Sequence, residues 1–261
     1  MNISRIKNYI TAFISCPNIL LKKHEYVFLI SHMRGYTSLF GHIMGSNPEI
    51  VGYYEMHQNF EKEGDYIIAK YKKYLNKEGR LEEKYIFDKI LHKSHKINIE
   101  LALKKQVKFI FLIRPPKETI LSNAKMFTET PTEETFKGAA EHYVSQLKYM
   151  SSIAEKIGSN AVFIRGEELI NNTEIVLTNL TNWLQLKTPL SDKYQTFDKT
   201  GTKNYGDPSN NIKAGQILKN RENNEIDIPD FILEEATYIY NESIQKLPNI
   251  LNDISFKIKE F

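Results

Sequence analysis

The order of segments along the chain predicts an α/β fold, a parallel sheet flanked by helices within a single domain. Runs of strand length recur at "YVFLI" (26–30), "KYIFDK" (84–89), "VKFIFLIR" (107–114) and "AVFIR" (161–165). Between them lie stretches whose apolar residues repeat at helical spacing. Strands separated by helices pair in parallel with both faces covered, and no internal repeat points to another architecture.

Taken in order, residues 1–25 have a basic start and the apolar patch "YITAFIS", which imitates a signal peptide. Asn8 and Thr11 interrupt the patch, and Cys16-Pro17 end it without a small-x-small cleavage site, so a short packing helix is expected. "YVFLI" is a buried strand, and Leu39, Phe40, Ile43 and Met44 after it share one helical face closed by Gly45. "DYIIAKYKKYL" (65–75) reads as a surface helix. Pro115-Pro116 stop the third strand and start a helix carrying Ile120, Leu121, Ala124 and Phe127, because proline suits a first helical turn. A long helix follows with Phe136, Ala140, Tyr143, Val144, Leu147, Met150 and Ile157 in register. "TEIVLTNLTNWLQL" (173–186) carries an apolar stripe that includes Trp183. Residues 197–229 are rich in Gly, Asn, Asp and Lys and read as an extended functional loop, before a last helix over "FILEEATYIYNESIQKL".

Composition narrows the function. With 261 residues, 41% of them hydrophobic, the chain has enough apolar surface for a sizeable core. One cysteine, Cys16, excludes an internal disulfide framework and a multi-cysteine metal site, and a cytoplasmic setting is the default expectation. A net charge of +3 is too mild for a bulk nucleic-acid binder, so an anionic ligand has to be met by local basic groups. No run approaches the roughly 20 apolar residues of a membrane span.

The junction "SHMRGYTSLFGHIMGSNPEI" (31–50) is where such a ligand is expected. In a parallel sheet, ligands bind beyond the carboxyl ends of strands, where a helix N-terminus offers unpaired N–H groups to an anion. Arg34 adds a planar fork of donors, Gly35 allows close backbone approach, and Thr37 and Ser38 bring hydroxyls. The competing reading is an ordinary turn with Thr37 as N-cap. The G-x-x-x-x-G-K-[ST] loop of nucleotide triphosphatases is absent, and "FIFLIR" ends in Arg114 where a magnesium-holding acid would stand. A nucleotide held without a metal is the expectation.

The blocks "RGYTSLFGHIMGSNPEI", "VKFIFLIRPPKETILS" and "AVFIRGEELI" resemble the nucleotide-binding blocks of sulfotransferases that use 3'-phosphoadenosine-5'-phosphosulfate (PAPS). The resemblance runs from residue 26 to about 215 and implies a P-loop-like sulfotransferase fold, with residues 197–229 covering the cofactor. It makes Arg34, Gly35, Tyr36, Thr37, Ser38 and Leu39 the loop for the 5'-phosphosulfate. Arg114 and Ser122, eight positions apart, match the family's site for the 3'-phosphate. In the late loop, Ser209 and Lys213 stand for groups closing on the sulfate and the 3'-phosphate. Two positions depart from the pattern: Tyr36 replaces a usual glycine and must avoid positive φ or accept its strain, and Gly166 replaces a tyrosine near the adenine.

Spacing is closest to the tyrosylprotein sulfotransferase branch. There Glu55, 21 residues after Arg34, corresponds to the catalytic base, and Lys89, 25 residues before Arg114, to the lysine on the transferred sulfate. The role for Glu55 requires burial to move its pKa toward neutrality. His92 resembles the histidine base of the small-molecule branch, Asp88 aligns with the glutamate of the polysaccharide branch, and His57 is a further candidate. His32 and His42 read as structural or solvated. The implied activity is sulfuryl transfer from PAPS to a hydroxyl of a carbohydrate, lipid or small metabolite, with adenosine 3',5'-bisphosphate (PAP) as product and no metal. A kinase-like phosphotransferase and a non-catalytic nucleotide binder are the alternatives on the same fold.

Overall fold

The structure is a computed structural model that describes residues 22–75, 83–126, 128–198, 200–202, 210–219, 226–259 and 261. Most of the expected N-terminal helix, together with Phe127 and Ser209, lies outside these residues. The strands are β1 (Glu25–Ser31), β2 (Ile50–Val51), β3 (Tyr85–Ile90), β4 (Lys108–Ile113), β5 (Ala161–Arg165) and β6 (Asn252–Asp253). The helices are α1 (Thr37–Gly45), α2 (Glu63–Leu75), α3 (Ile99–Lys104), α4 (Pro116–Ala124), α5 (Glu133–Ile157), α6 (Gly166–Asn171), α7 (Thr173–Leu184), α8 (Asn210–Lys213) and α9 (Asp230–Ile250). All six strands are parallel, in the order β2-β3-β1-β4-β5-β6. The fold is the expected α/β sheet flanked by helices.

Side-chain alternation on the strands builds two cores. On one face Tyr26, Phe28 and Ile30 of β1 join Phe109 and Phe111 of β4, covered by Phe136, Tyr143 and Leu147 of α5 and by α9. On the other, Val27, Leu29, Ile110 and Leu112 meet Phe40, Ile43 and Met44 of α1 and Leu177, Leu180 and Trp183 of α7. Helix starts follow local chemistry: Pro116 opens α4, and Thr132 and Thr135 cap each other reciprocally at the start of α5. β2 and β6 escape a hydrophobic-run criterion, being two residues each, and β6 is polar.

Strand order reverses between β1 and β4: β1 leads to β2 and β3 on one side, and β4 then starts the other half. Such a switch point leaves a crevice beyond the strand ends. Ser31 pairs with Leu112 at that end, so the residues after β1 and after β4 emerge side by side. β3 borders β1 on its other flank, with Leu29 opposite Lys89. The three segments holding the candidate residues therefore open onto one edge of the sheet.

Candidate active site

The loop from β1 to α1 is drawn tightly around its own backbone. A Cβ at Gly35 would sit 2.9 Å from Cε1 of His32 and 3.0 Å from the Ser31 hydroxyl, so glycine is required by the protein's own packing. Arg34 and Tyr36 both adopt left-handed backbone, with φ of 61° and 62°. For a non-glycine residue that conformation is strained by roughly 1–2 kcal/mol. Tyr36 thus accepts positive φ, and the structure supplies a compensation: the Arg114 guanidinium stacks over its ring, 4.3 Å from the centroid.

Tyr36 is the N-cap of α1 and makes no side-chain capping bond, while Thr37 is already helical. The reading of Thr37 as an N-cap is therefore overturned. The start of α1 keeps the character of an anion-binding terminus, with Thr37 and Ser38 in its first turn. Leu39 is buried in the core, which leaves its backbone N–H as its means of meeting a ligand.

Arg34, Arg114 and Ser122 converge from three elements. Nε of Arg34 donates to the Ser122 hydroxyl oxygen at 2.8 Å, and Arg114 donates to the carbonyl of Arg34 at 3.1 Å. The base of this cluster is His32, fully buried and held below its ordinary pKa, at about 4, chiefly by burial. Its Nδ1 faces the Met33 carbonyl at 3.0 Å and its Nε2 accepts from the Arg114 N–H at 3.1 Å, which assigns the proton to Nδ1. Tyr143 donates to the Arg114 carbonyl at 2.8 Å. His32 is structural, as expected. So is His42: it packs against Tyr53 and Phe197, and its Nε2 lies 2.8 Å from the Thr200 hydroxyl.

Beside this cradle stands a group of proton-carrying side chains. Glu55, only 9% exposed along its side chain, places Oε1 3.1 Å from Nδ1 of His95 and 3.6 Å from Nδ1 of His57. The His95 contact is a charge contact without hydrogen-bond alignment, so both atoms are buried without an aligned partner. Burial alone would raise the Glu55 carboxyl, but His95, His57, His92 and Lys89 outweigh it and hold the group below its ordinary value. The expected move toward neutrality is thus reversed. His95 is raised in turn by Glu55.

Lys89 is buried at the end of β3 and lowered to about 8 by desolvation, against the opposing pull of Glu55 and Asp88. Asp88 accepts from the Met56 N–H at 2.9 Å and is raised to about 6 by burial. At 1% exposure it is walled into the interior. His92 stands one step back from Glu55: its ring is 5.6 Å from that of His95, and its Nδ1 lies 3.4 Å from Nε2 of His142.

Sequence reading missed His95 and His142. The H-x-x-H spacing of His92 and His95 was a usable signal, whereas His142 arrives from α5, 50 residues further on. Lys213 packs across Gly201, next to the Thr200 that contacts His42, and so is placed along the flank of α1. Gly166 is explained sterically. A Cβ there would lie 2.9 Å from the Ile113 carbonyl and 3.0 Å from Cα of Arg114, which leaves no room for a tyrosine.

Two solved structures share this architecture. The sulfotransferase domain from the curacin biosynthetic pathway superposes with a TM-score of 0.60 at 15% identity, covering 85% of this chain and 98% of that one. The sulfotransferase domain from the Synechococcus PCC 7002 olefin synthase gives a TM-score of 0.55 at 14% identity, covering 84% and 96%. No protein-family model and no curated protein matches the sequence. The chain thus has a sulfotransferase-domain fold, and among the described residues no helix is long and apolar enough to cross a membrane.

Proposed function

We propose that the chain is a PAPS-dependent sulfotransferase that moves a sulfuryl group to the hydroxyl of a carbohydrate, lipid or small metabolite. The observation that carries this reading is the meeting of Arg34, Arg114 and Ser122 beside the N-terminus of α1. Two cations and two donor-bearing elements at one strand edge suit a ligand with two separate anionic groups, as the donor has. The 5'-phosphosulfate lies against Arg34, Thr37 and Ser38, and the 3'-phosphate against Arg114 and Ser122.

In the reaction the acceptor oxygen forms a bond to sulfur while the bond from sulfur to the 5'-phosphate oxygen breaks. PAP leaves with the electron pair, and the acceptor proton passes to Glu55. Because Glu55 is held ionised, it is ready to receive a proton but weakly basic. Lys89 stands beside Glu55 and neutralises charge developing on the leaving oxygen. A phosphotransferase reading is weaker, since the end of β4 carries Arg114 and Asp88 on β3 is buried against the Met56 backbone.

The test is the melting temperature with PAP and, separately, with ATP and magnesium. A rise with PAP alone supports the reading. A preference for ATP, or indifference to PAP, sinks it.

A further inference from the structure

Four of the chain's seven histidines, His57, His95, His92 and His142, form a connected group beside Glu55, more than one base requires. We propose that Glu55, His57 and His95 form a binding site for a divalent transition-metal ion of the zinc class, separate from the phosphate cradle. One ligand atom from each residue lies within 4.8 Å of the others. The edges from Oε1 of Glu55, 3.1 Å to His95 and 3.6 Å to His57, bracket the separation of about 3.4 Å between ligands of a tetrahedral zinc with bonds near 2.1 Å.

A second observation points to a ligand. Oε1 of Glu55 and Nδ1 of His95 are buried and face each other at 3.1 Å as a charge pair that is not aligned as a hydrogen bond. Buried polar atoms are ordinarily satisfied, and an ion between these two would serve both. The third ligand is adaptable, because the His57 side chain is 55% exposed and can swing inward. Two imidazoles and one carboxylate select zinc-like ions over magnesium or calcium, which favour all-oxygen sets. Three protein ligands leave one position open to water.

Occupancy would make Glu55 a ligand in place of a proton acceptor, so the ion acts as a reversible inhibitor of transfer, removed by chelation. Only that consequence rests on the sulfotransferase reading; the binding stands apart from it.

The probe is Co2+, added to metal-free full-length protein and read by visible d–d absorption, with Zn2+ as competitor. The expected result is an intense tetrahedral-type band saturating at one equivalent and bleached by Zn2+. His57→Ala and His95→Ala each weaken it at least as much as the roughly 10- to 100-fold loss seen when an outer partner of a metal site is removed. His142→Ala leaves it unchanged. His57→Ala guards against misfolding, since that side chain is largely exposed and its melting temperature without metal should match the parent. A weak octahedral-type spectrum, or a band that survives both His57→Ala and His95→Ala, overturns the proposal. Loss of the band in His142→Ala overturns it too, by moving the ion to the His92 and His142 pair. A silent PAP titration with an intact cobalt band would sink the transferase reading alone.

Discussion

Arg34 donates through Nε to the Ser122 hydroxyl at 2.8 Å across 88 residues of sequence. This bond joins the loop after β1 to the second turn of α4, and so ties together the two halves of the proposed donor site. Ser122→Ala should weaken PAP binding by about 1.5–3 kcal/mol, the range for a hydrogen bond to a charged group. In a double-mutant cycle with Arg34→Lys, read by calorimetry, the two losses should be non-additive by roughly 0.5–3 kcal/mol. Strict additivity would show that the two residues act independently on the ligand.

Tyr36 holds a strained backbone and is covered by Arg114. Tyr36→Gly relieves the left-handed strain, roughly 1–2 kcal/mol, and gives up a cation–π contact of about 0.5–2 kcal/mol. Its stability in urea should lie within about 1 kcal/mol of the parent. Tyr36→Ala keeps the strain and loses the ring, so it should be the less stable of the two variants. The reverse order would exclude the compensation.

Gly166 abuts the end of β4. Gly166→Ala presses on the Ile113 carbonyl and the Arg114 backbone, and overpacking of this kind destabilises by about 1–3 kcal/mol. Denaturant unfolding checks the loss. A neutral result would mean that the end of β4 yields easily, and a tyrosine could then be accommodated.

His32 carries a pH dependence whose sign follows from its depressed pKa. Its folded value is about 4 against an ordinary value near 6.5, so between those limits the unfolded chain binds the extra proton. The stabilisation is complete above about pH 6.5 and is lost as pH falls toward 4, by roughly 3 kcal/mol in all. Asp88, raised to about 6 by burial, works in the opposite direction, so the His32 ring itself is the better readout. Its NMR signals should still report a neutral ring at about pH 5. A midpoint near the ordinary value would contradict the buried, Nδ1-protonated assignment.

The strands and helices that the sequence foretold are those with long apolar runs or clear periodicity, such as β1, β4 and α5. β6 and α3 were missed because short elements carry too few side chains to show a period. In the site, Arg34, Arg114 and Lys89 lie at or just after the ends of β1, β4 and β3, where chain position predicts spatial position, whereas Ser122 within α4 and Glu55 in the loop after β2 were singled out by the resemblance alone. His95 and His142 were not singled out: their meeting with Glu55 and His92 depends on how the segment after β3 packs against α5. Spacing also misjudged the Glu55 pKa. Burial does act to raise it, but His95, His57, His92 and Lys89 reverse its effect, and of these only His57 is close to Glu55 in sequence.

In the proposed donor site Arg114 and Ser122 read a 3'-phosphate while α1 and Arg34 hold the 5' end. Calorimetric titration of PAP against adenosine 5'-monophosphate tests it most directly. PAP should bind tighter, and Arg114→Ala should weaken it by roughly 2–5 kcal/mol until the two ligands become alike. Equal affinity of the two nucleotides for the parent protein, or an Arg114→Ala variant that still prefers PAP, would contradict it.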